Sequence, residues 1–396
     1  MLILIANLGS TSFKCKLFDM SKGQVVLASA SADRIGQGKS AWAIEVGADK
    51  ASGSAELAGH AAAIDLLLMQ IVQRGVIKSL DDIDAVGFKA VHGGPISGAV
   101  VVDEEVIATM QRFADVAPAH NPPYIAAMRA LAEKLPGVPQ VAAFETAFHQ
   151  TIPLSRQAYA IPHEWTEKLG IRRYGFHGAS HRYIATRMAQ IAPDCERIIN
   201  CHLGGSSSLC AIRDGKSMAT SMGLSAQSGL PQANRVGDFE IFALLKLQAA
   251  GITTDEALRT LGKESGLLGI SGVSADMRDI EAAAAQGNQR AKLAIDVLVE
   301  SIRHYLGAYL VVLGGADAIC FTGGIGQNSK LIRAAVLDDL AWAGIVIDDA
   351  KNQAAKGNAE TRIDAEVSKA QIWVLPTNEE LIVARQTVAV LQEQPV

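Results

Sequence analysis

One short pattern occurs twice in this chain, and it constrains the fold more than any other feature. Ile5-Ala6-Asn7-Leu8-Gly9-Ser10-Thr11-Ser12 opens a segment running through Cys15, Leu17 and Asp19. Cys201-His202-Leu203-Gly204-Gly205-Ser206-Ser207-Ser208 opens another, with Cys210, Ile212 and Asp214 spaced as in the first. Each reads as an apolar strand, a tight Gly/Ser/Thr turn and a second strand. Such a turn aims backbone N–H groups and short hydroxyls at one spot, where an anion can sit. Two copies predict two related domains that face one phosphate-bearing ligand, the layout of a phosphoryl-transfer enzyme.

A chain of 396 residues, 49% apolar and 19% charged, is long enough for two domains with sizeable cores. The formal charge of −5 argues against a general nucleic-acid binder, which is usually basic. Anionic ligands must then be held by local Arg, Lys and backbone amides. The cysteines at 15, 195, 201, 210 and 320 form no CxxC pair, and three lie in strand-like stretches. They read as free buried thiols of a cytoplasmic protein. Met1-Leu2-Ile3-Leu4-Ile5-Ala6 lacks a basic lead-in and runs into the first turn, so it is expected to be a buried strand. Tyr305 to Phe321 is apolar but broken by Gly307, Gly314, Gly315 and Asp317, and reads as a helix end plus a strand, with no membrane span.

Strands alternate with helices in both halves, which indicates an α/β architecture. Three strands are expected before residue 32, others at 86–91, 138–144, 316–322 and 372–376, and helices at 55–75, 122–134 and 378–391. Pro122-Pro123 marks a favoured helix start. Helices should also fill most of 239–310, after a turn-rich stretch at 219–237.

Four further groups carry chemistry. Thr322-Gly323-Gly324-Ile325-Gly326-Gln327-Asn328-Ser329 follows a strand and opens a helix, where glycines let the backbone approach a bulky ligand. Lys14, just past the first turn, is either a solvent-facing strand residue or a point charge for phosphate. Histidines are concentrated at 92, 120, 149, 177, 181 and 202, without a compact zinc spacing. Donors of that kind suit a phosphoryl group in transit. Nucleotide phosphates arrive with Mg²⁺, for which Glu145 and the pair Glu379-Glu380 are the candidate carboxylates, although a carboxylate in a helix first turn is also favoured by the dipole alone.

Taken together, these segments resemble the acetate kinase family, short-chain carboxylate kinases of the actin and sugar-kinase superfamily. The likeness rests on Asn7 to Lys14, Val91-His92-Gly93-Gly94, His120 to Pro123, Thr146 to Gln150, Arg173 to Gly178, Phe321 to Gly326 and Thr377 to Leu381, in order. It implies two duplicated actin-like ATPase (ribonuclease H-like) domains with a nucleotide cleft between them, at 1–145 plus about 382–396 and at 146–381. The implied reaction moves the γ-phosphoryl of ATP reversibly to a carboxylate, giving acyl phosphate and ADP. Asn7, Glu379 and Glu145 would hold Mg²⁺ or Mn²⁺, while Ser10, Ser12 and Lys14 would line the phosphate site. His177 would stabilise the phosphoryl in flight with His120 nearby, and Arg235 and Lys89 would meet the carboxylate. His202, Gly204, Gly205, Asp276, Met277, Arg278, Gly323, Gly324, Ile325, Gly326 and Asn328 would border the nucleotide. A homodimer is implied, with neither a nucleic-acid nor a membrane partner.

The chain departs from the family pattern at several of these positions. Lys89 stands where Arg is usual and Glu145 where Asp is usual. The turn His-Leu-Gly-Asn-Gly appears as His202-Leu203-Gly204-Gly205-Ser206, and Gln327 replaces Glu. Ser228-Gly229-Leu230-Pro231-Gln232-Ala233-Asn234 replaces Glu-Gly-Leu-Met-Met-Gly-Thr. In the pocket for the acid's alkyl end Val91 is kept, but Ala119 replaces Leu and Ala226 replaces Pro. The lost bulk predicts acids larger than acetate. Two rival readings keep the fold: a donor other than ATP, such as pyrophosphate, or a catalytically weak nucleotide-binding relative.

Overall fold

The computed structural model describes residues 1–9, 11–21, 23–96, 98–118 and 120–393. The chain divides into two compact α/β units, Met1–Ala147 with Asn378–Val396 and Phe148–Thr377. No helix among the described residues is long and apolar enough to cross a membrane.

The first unit holds β1 (Leu2–Leu8), β2 (Ser12–Asp19), β3 (Val25–Asp33), β4 (Lys39–Val46), β5 (Asp49–Glu56), β6 (Ala85–Ala90), β7 (Ala99–Val101) and β8 (Gln140–Phe144). They form one sheet in the order β5-β4-β3-β2-β1-β6-β8-β7. The second unit holds β9 (Arg197–His202), β10 (Ser208–Arg213), β11 (Lys216–Thr220), β12 (Ala318–Thr322), β13 (Thr361–Arg362) and β14 (Gln371–Val374), in the order β11-β10-β9-β12-β14-β13. The shared core is visible in the pairing. In each unit a first strand pairs antiparallel with its hairpin partner and parallel with a later strand, β1 with β2 and β6, β9 with β10 and β12. The repeat in the sequence is therefore a repeat in the fold. The second turn is one residue longer, because Leu8 pairs with Phe13 whereas His202 pairs with Ser208.

Period-two alternation explains how each sheet is covered. Leu4, Ala6 and Leu8 join the core formed with helices His60–Gln73 and Asn121–Lys134. Ile3 and Ile5 point the other way, packing with Ala85, Ala143, Val383 and Ala384 under helix Glu379–Glu393. In the second unit Ile199, Cys201, Ile319 and Phe321 pack toward helix Gln289–Leu313, while Ile198, Cys210, Ile212 and Cys320 pack toward helix Gly178–Ile191. Burial on both faces is why β1 and β12 are almost wholly apolar.

One sequence expectation fails. Residues 49–56, within and before the helix expected at 55–75, are strand β5, and the helix begins at His60. The β4–β5 hairpin is mostly exposed, so it carries little of the alternation that reveals a strand. It is held by pairing and by Trp42, whose ring lies over Gly53.

Gly87 sets the distance between sheet and C-terminal helix. A Cβ there would stand 2.5 Å from Thr387 Oγ1 and 2.8 Å from Ile5 Cδ1. We expect Gly87→Ala to lower stability by about 1–3 kcal/mol through overpacking. A thermal melt unchanged from wild type would contradict that packing.

Candidate active site

On the first sheet, three rows of side chains turn from apolar to polar as they run toward the start of helix Glu379–Glu393. They are Ile3-Ile5-Asn7, Ala85-Gly87-Lys89 and Ala143-Glu145, alternate residues of one face. Lys89 Nζ is ion-paired with Glu379 and lies 3.8 Å from Glu145. Glu145 is only 4% exposed. Burial alone would lower the Lys89 pKa, but the Glu379 and Glu145 charges outweigh it and hold the ammonium above its usual range. Asn7 Nδ2 donates to Glu380 at 3.5 Å, and Lys16 Nζ reaches Glu380 at 3.3 Å. The buried Tyr124 hydroxyl accepts from the Leu8 N–H and donates to Asn7 Oδ1 at 3.4 Å. Glu145 and Glu379 thus share the single ammonium of Lys89, which leaves one negative charge in excess between them. Lys14 is exposed and pairs across the hairpin with Asn7, which puts it on the same face. Ser12 starts β2 and its carbonyl accepts from Gly9. His120 caps helix Asn121–Lys134, and Val91 is half-buried behind β6. Ser10 and Ala119 lie outside the described residues.

The second sheet shows the same change of character. Ile198-Asn200-His202 on β9 and Ile212-Cys210-Ser208 on β10 become polar beside helix Gly178–Ile191. His177 begins that helix in the left-handed region, with φ +57°, a strained conformation for a residue with a Cβ. Its Nδ1 lies 2.8 Å from Ser208 Oγ, and its ring stacks on His202 at 4.2 Å. His202 Nδ1 meets Ser180 Oγ at 2.8 Å. His149 spans Ser217 Oγ and the Phe176 carbonyl, and burial lowers its pKa to about 4. Burial likewise keeps His181 well below the usual histidine range, so both rings are neutral near pH 7.

Arg235 donates from Nη1 to the Ala226 carbonyl at 2.8 Å. The same oxygen accepts from buried Gln232 Nε2 at 2.7 Å, while Gln232 Oε1 accepts from Ser206 at 2.7 Å. A cavity of about 690 Å³ in this unit is lined by Gly204, Gly205, Asp276, Met277, Arg278, Gly324, Ile325 and Asn328, together with Ala275, Glu281 and Ser329. That volume is in the range that holds a nucleoside-sized ligand. Gly323 and Gly326 are buried and serve through the backbone. At Gly323, φ is +77° and a Cβ would stand 2.5 Å from the Leu203 carbonyl. That carbonyl accepts from the Ile325 and Gly326 amides, tying the glycine loop to the turn after β9. Buried Arg333 fixes the far end of the loop by donating to the Gly326 and Gln327 carbonyls.

The model of the Acetokinase family matches residues 2–385. The chain belongs to that family. An acetate kinase of Geobacillus sp. (strain WCH70) is 42% identical over 392 residues, 98% of each chain. One from Dictyoglomus turgidum is 43% identical over 402 residues, covering 100% of this chain and 98% of the other. The crystal structure of Porphyromonas gingivalis acetate kinase has a TM-score of 0.89 at 38% identity, covering 98% and 99% of the two chains. A propionate kinase from Francisella tularensis subsp. tularensis SCHU S4 has a TM-score of 0.90 at 35% identity, covering 97% and 98%. As an acetokinase-family member the chain is a phosphotransferase that acts on a carboxyl group.

For this family the question is whether the first unit's polar group suits a divalent cation. Among the described residues no three His, Cys, Asp or Glu side chains form a metal cage. Mg²⁺ needs none, since it keeps several waters and is usually bound through one or two carboxylates plus phosphates. The excess negative charge around Glu145 and Glu379, with the Asn7 amide beside it, fits that habit. Sequence reasoning missed Lys16, Tyr124, Ser208 and Gln232. Strand parity could have found Lys16, which shares a face with Lys14 and Asn7.

Lys89→Met would leave Glu145 and Glu379 buried together, and we expect about 3–5 kcal/mol of lost stability in urea unfolding. Lys89→Arg, which keeps the charge, should lose much less. The His149 pKa is lowered in the folded state, so the unfolded chain binds its proton first as pH falls. Stability is therefore full above about pH 6.5 and lost toward pH 4, by roughly 3 kcal/mol for this residue. Urea midpoints at pH 7 and 4.5 measure that slope, and His149→Gln should flatten it.

Proposed function

We propose that this protein transfers the terminal phosphoryl group of ATP to a short-chain carboxylic acid larger than acetate, propionate or butyrate first. The products are an acyl phosphate and ADP, and the reaction runs in both directions. The carrying observation is the Arg235–Ala226 contact. It sets the guanidinium expected to meet a carboxylate beside the backbone carbonyl of a residue whose side chain is a single methyl. A bulkier wall there would exclude extra carbons, whereas Ala admits them. Each buried methylene is worth about 0.8 kcal/mol, roughly a fourfold preference per carbon.

In this reading the nucleoside occupies the cavity lined by Asp276, Arg278 and Ile325, which favours ATP over pyrophosphate as the donor. Glu145, Glu379 and Asn7 would hold Mg²⁺, directly or through water, and the ion would offset phosphate charge when bound. Lys89 holds Glu145 and Glu379 in place by pairing with them. Arg235 orients the acid, and a planar guanidinium suits both a carboxylate and a developing phosphate. His177 donates a hydrogen bond to the phosphoryl group as charge spreads over its oxygens. Five buried thiols fit a reducing cytoplasm. Phe239, Ile241, Phe242 and Leu245 form an exposed apolar run on the second unit, which supports the homodimer that the resemblance implies.

The test is a kcat/KM series over straight-chain acids from two to five carbons, with ATP and pyrophosphate as donors. Propionate or butyrate should exceed acetate, and Ala119→Leu should move the preference back toward acetate. A tenfold or greater preference for acetate would refute the enlarged pocket.

A further inference from the structure

His177 lies beside two buried polar groups that the mechanism above does not use. Ser208 Oγ lies 2.8 Å from His177 Nδ1 and 2.9 Å from His181 Nε2. His181 Nδ1 in turn lies 2.8 Å from Asn200 Nδ2. Ser208, His181 and Asn200 have no solvent exposure, so water cannot take the place of any link. We propose that Asn200, His181 and Ser208 form a directed hydrogen-bond relay that keeps His177 neutral with its proton on Nε2.

The direction follows link by link. An amide NH₂ can only donate, so His181 Nδ1 must accept and the proton of the neutral ring sits on Nε2. That Nε2–H donates to Ser208 Oγ. A hydroxyl has one proton and two lone pairs; with one lone pair taken by His181 Nε2–H, the relay directs the proton to His177 Nδ1, which lies 2.8 Å away. His177 Nδ1 is therefore an acceptor, and the proton of its neutral ring is on Nε2. A phosphoryl oxygen only accepts, so this is the one neutral form of His177 that can serve it. A carboxylate at position 200 would impose the opposite order, as Asp and Asn partners impose opposite tautomers on a catalytic histidine. Asn200 and Ser208 are placed for the task by strand register, one on β9 and the other on β10 facing the same helix. His181 shares their cluster because it is four residues past His177, one helical turn along.

The inference makes these three positioning residues and rests on the reading that His177 serves the phosphoryl group. The experiment is ¹⁵N-imidazole NMR of the full-length enzyme at pH 8, with the His177 signals assigned through His177→Gln. Wild type should show a protonated Nε2 and a bare Nδ1 at His177. Asn200→Asp, which keeps the side-chain shape, should reverse this and move the proton to Nδ1. Its kcat should fall on the order of 10²–10³-fold, the usual effect of removing one preorganised donor, with KM for ATP little changed. A wild-type His177 carrying its proton on Nδ1, or on both nitrogens, would overturn the relay, and so would an unchanged pattern in Asn200→Asp. The wild-type spectrum decides even if that variant does not fold. An enzyme inactive with every acid but showing the Nε2–H pattern would sink the kinase reading alone. An active enzyme with the proton on Nδ1 would sink the relay alone.

Discussion

The strict alternation of the central strands is the constraint on which the rest depends. A side chain two residues further along a strand stays on the same face, so an apolar row must either continue or change character on that face. In both units the row on one particular face changes character at its end. Ile3 and Ile5 give way to Asn7, Ala85 and Gly87 to Lys89, and Ile198 to Asn200 and His202. The apolar part of each row anchors a helix, Glu379–Glu393 in one unit and Gly178–Ile191 in the other. The polar part is then held beside that helix's first turn, where Glu379, Glu380, His177, Ser180 and His181 are found. A register slip of one residue would bury the charges in the wrong layer and expose the apolar rows. Packing of the core and assembly of the polar groups are thus one event.

Each unit handles polarity in its own way. The first uses formal charge, with Lys89 shared by Glu145 and Glu379, and Lys16 paired to Glu380. Such a group can take up an incoming cation by exchanging partners, because one negative charge is left over. In the second unit, His149 and His181 are kept neutral by burial, and their protons are placed by hydroxyl and amide partners. Fixed neutral donors bind a charged ground state less tightly than cations would. They gain most where charge becomes more concentrated or redistributed, which is the condition for favouring a transition state over a bound ligand.

What the sequence made legible follows from the same physics. The duplicated hairpins, the parallel partner strands and the C-terminal helix carry strong apolar periodicity, and each was readable. Asn7, Lys89, Glu145 and Glu379 were readable as chemistry, though the ion pairs joining them were not, since those partners are separated by up to several hundred residues. The β4–β5 hairpin was not readable, because an exposed edge needs no apolar alternation and its one large anchor, Trp42, packs on a glycine. Ser208 and Asn200 went unnoticed for the opposite reason. A buried Ser or Asn within a strand looks like a weak strand residue until the opposing helix shows what it bonds to.

Two departures from the family pattern become one in three dimensions. Ser206 stands where glycine is usual and Gln232 where methionine is usual, and read separately each is an unexplained polar substitution. In the structure the serine hydroxyl donates to the glutamine, and the glutamine amide donates to the Ala226 carbonyl that also receives Arg235. A buried glutamine without the serine would leave its carbonyl oxygen unpaired, a cost of about 1–3 kcal/mol. The pair is therefore self-consistent where either member alone would not be. Gln232 and Arg235 together occupy both lone pairs of the Ala226 oxygen, which fixes the backbone at the position where proline is usual. The loop keeps its shape by hydrogen bonding in place of a ring, and that leaves the side chain at 226 small without loosening the arginine beside it.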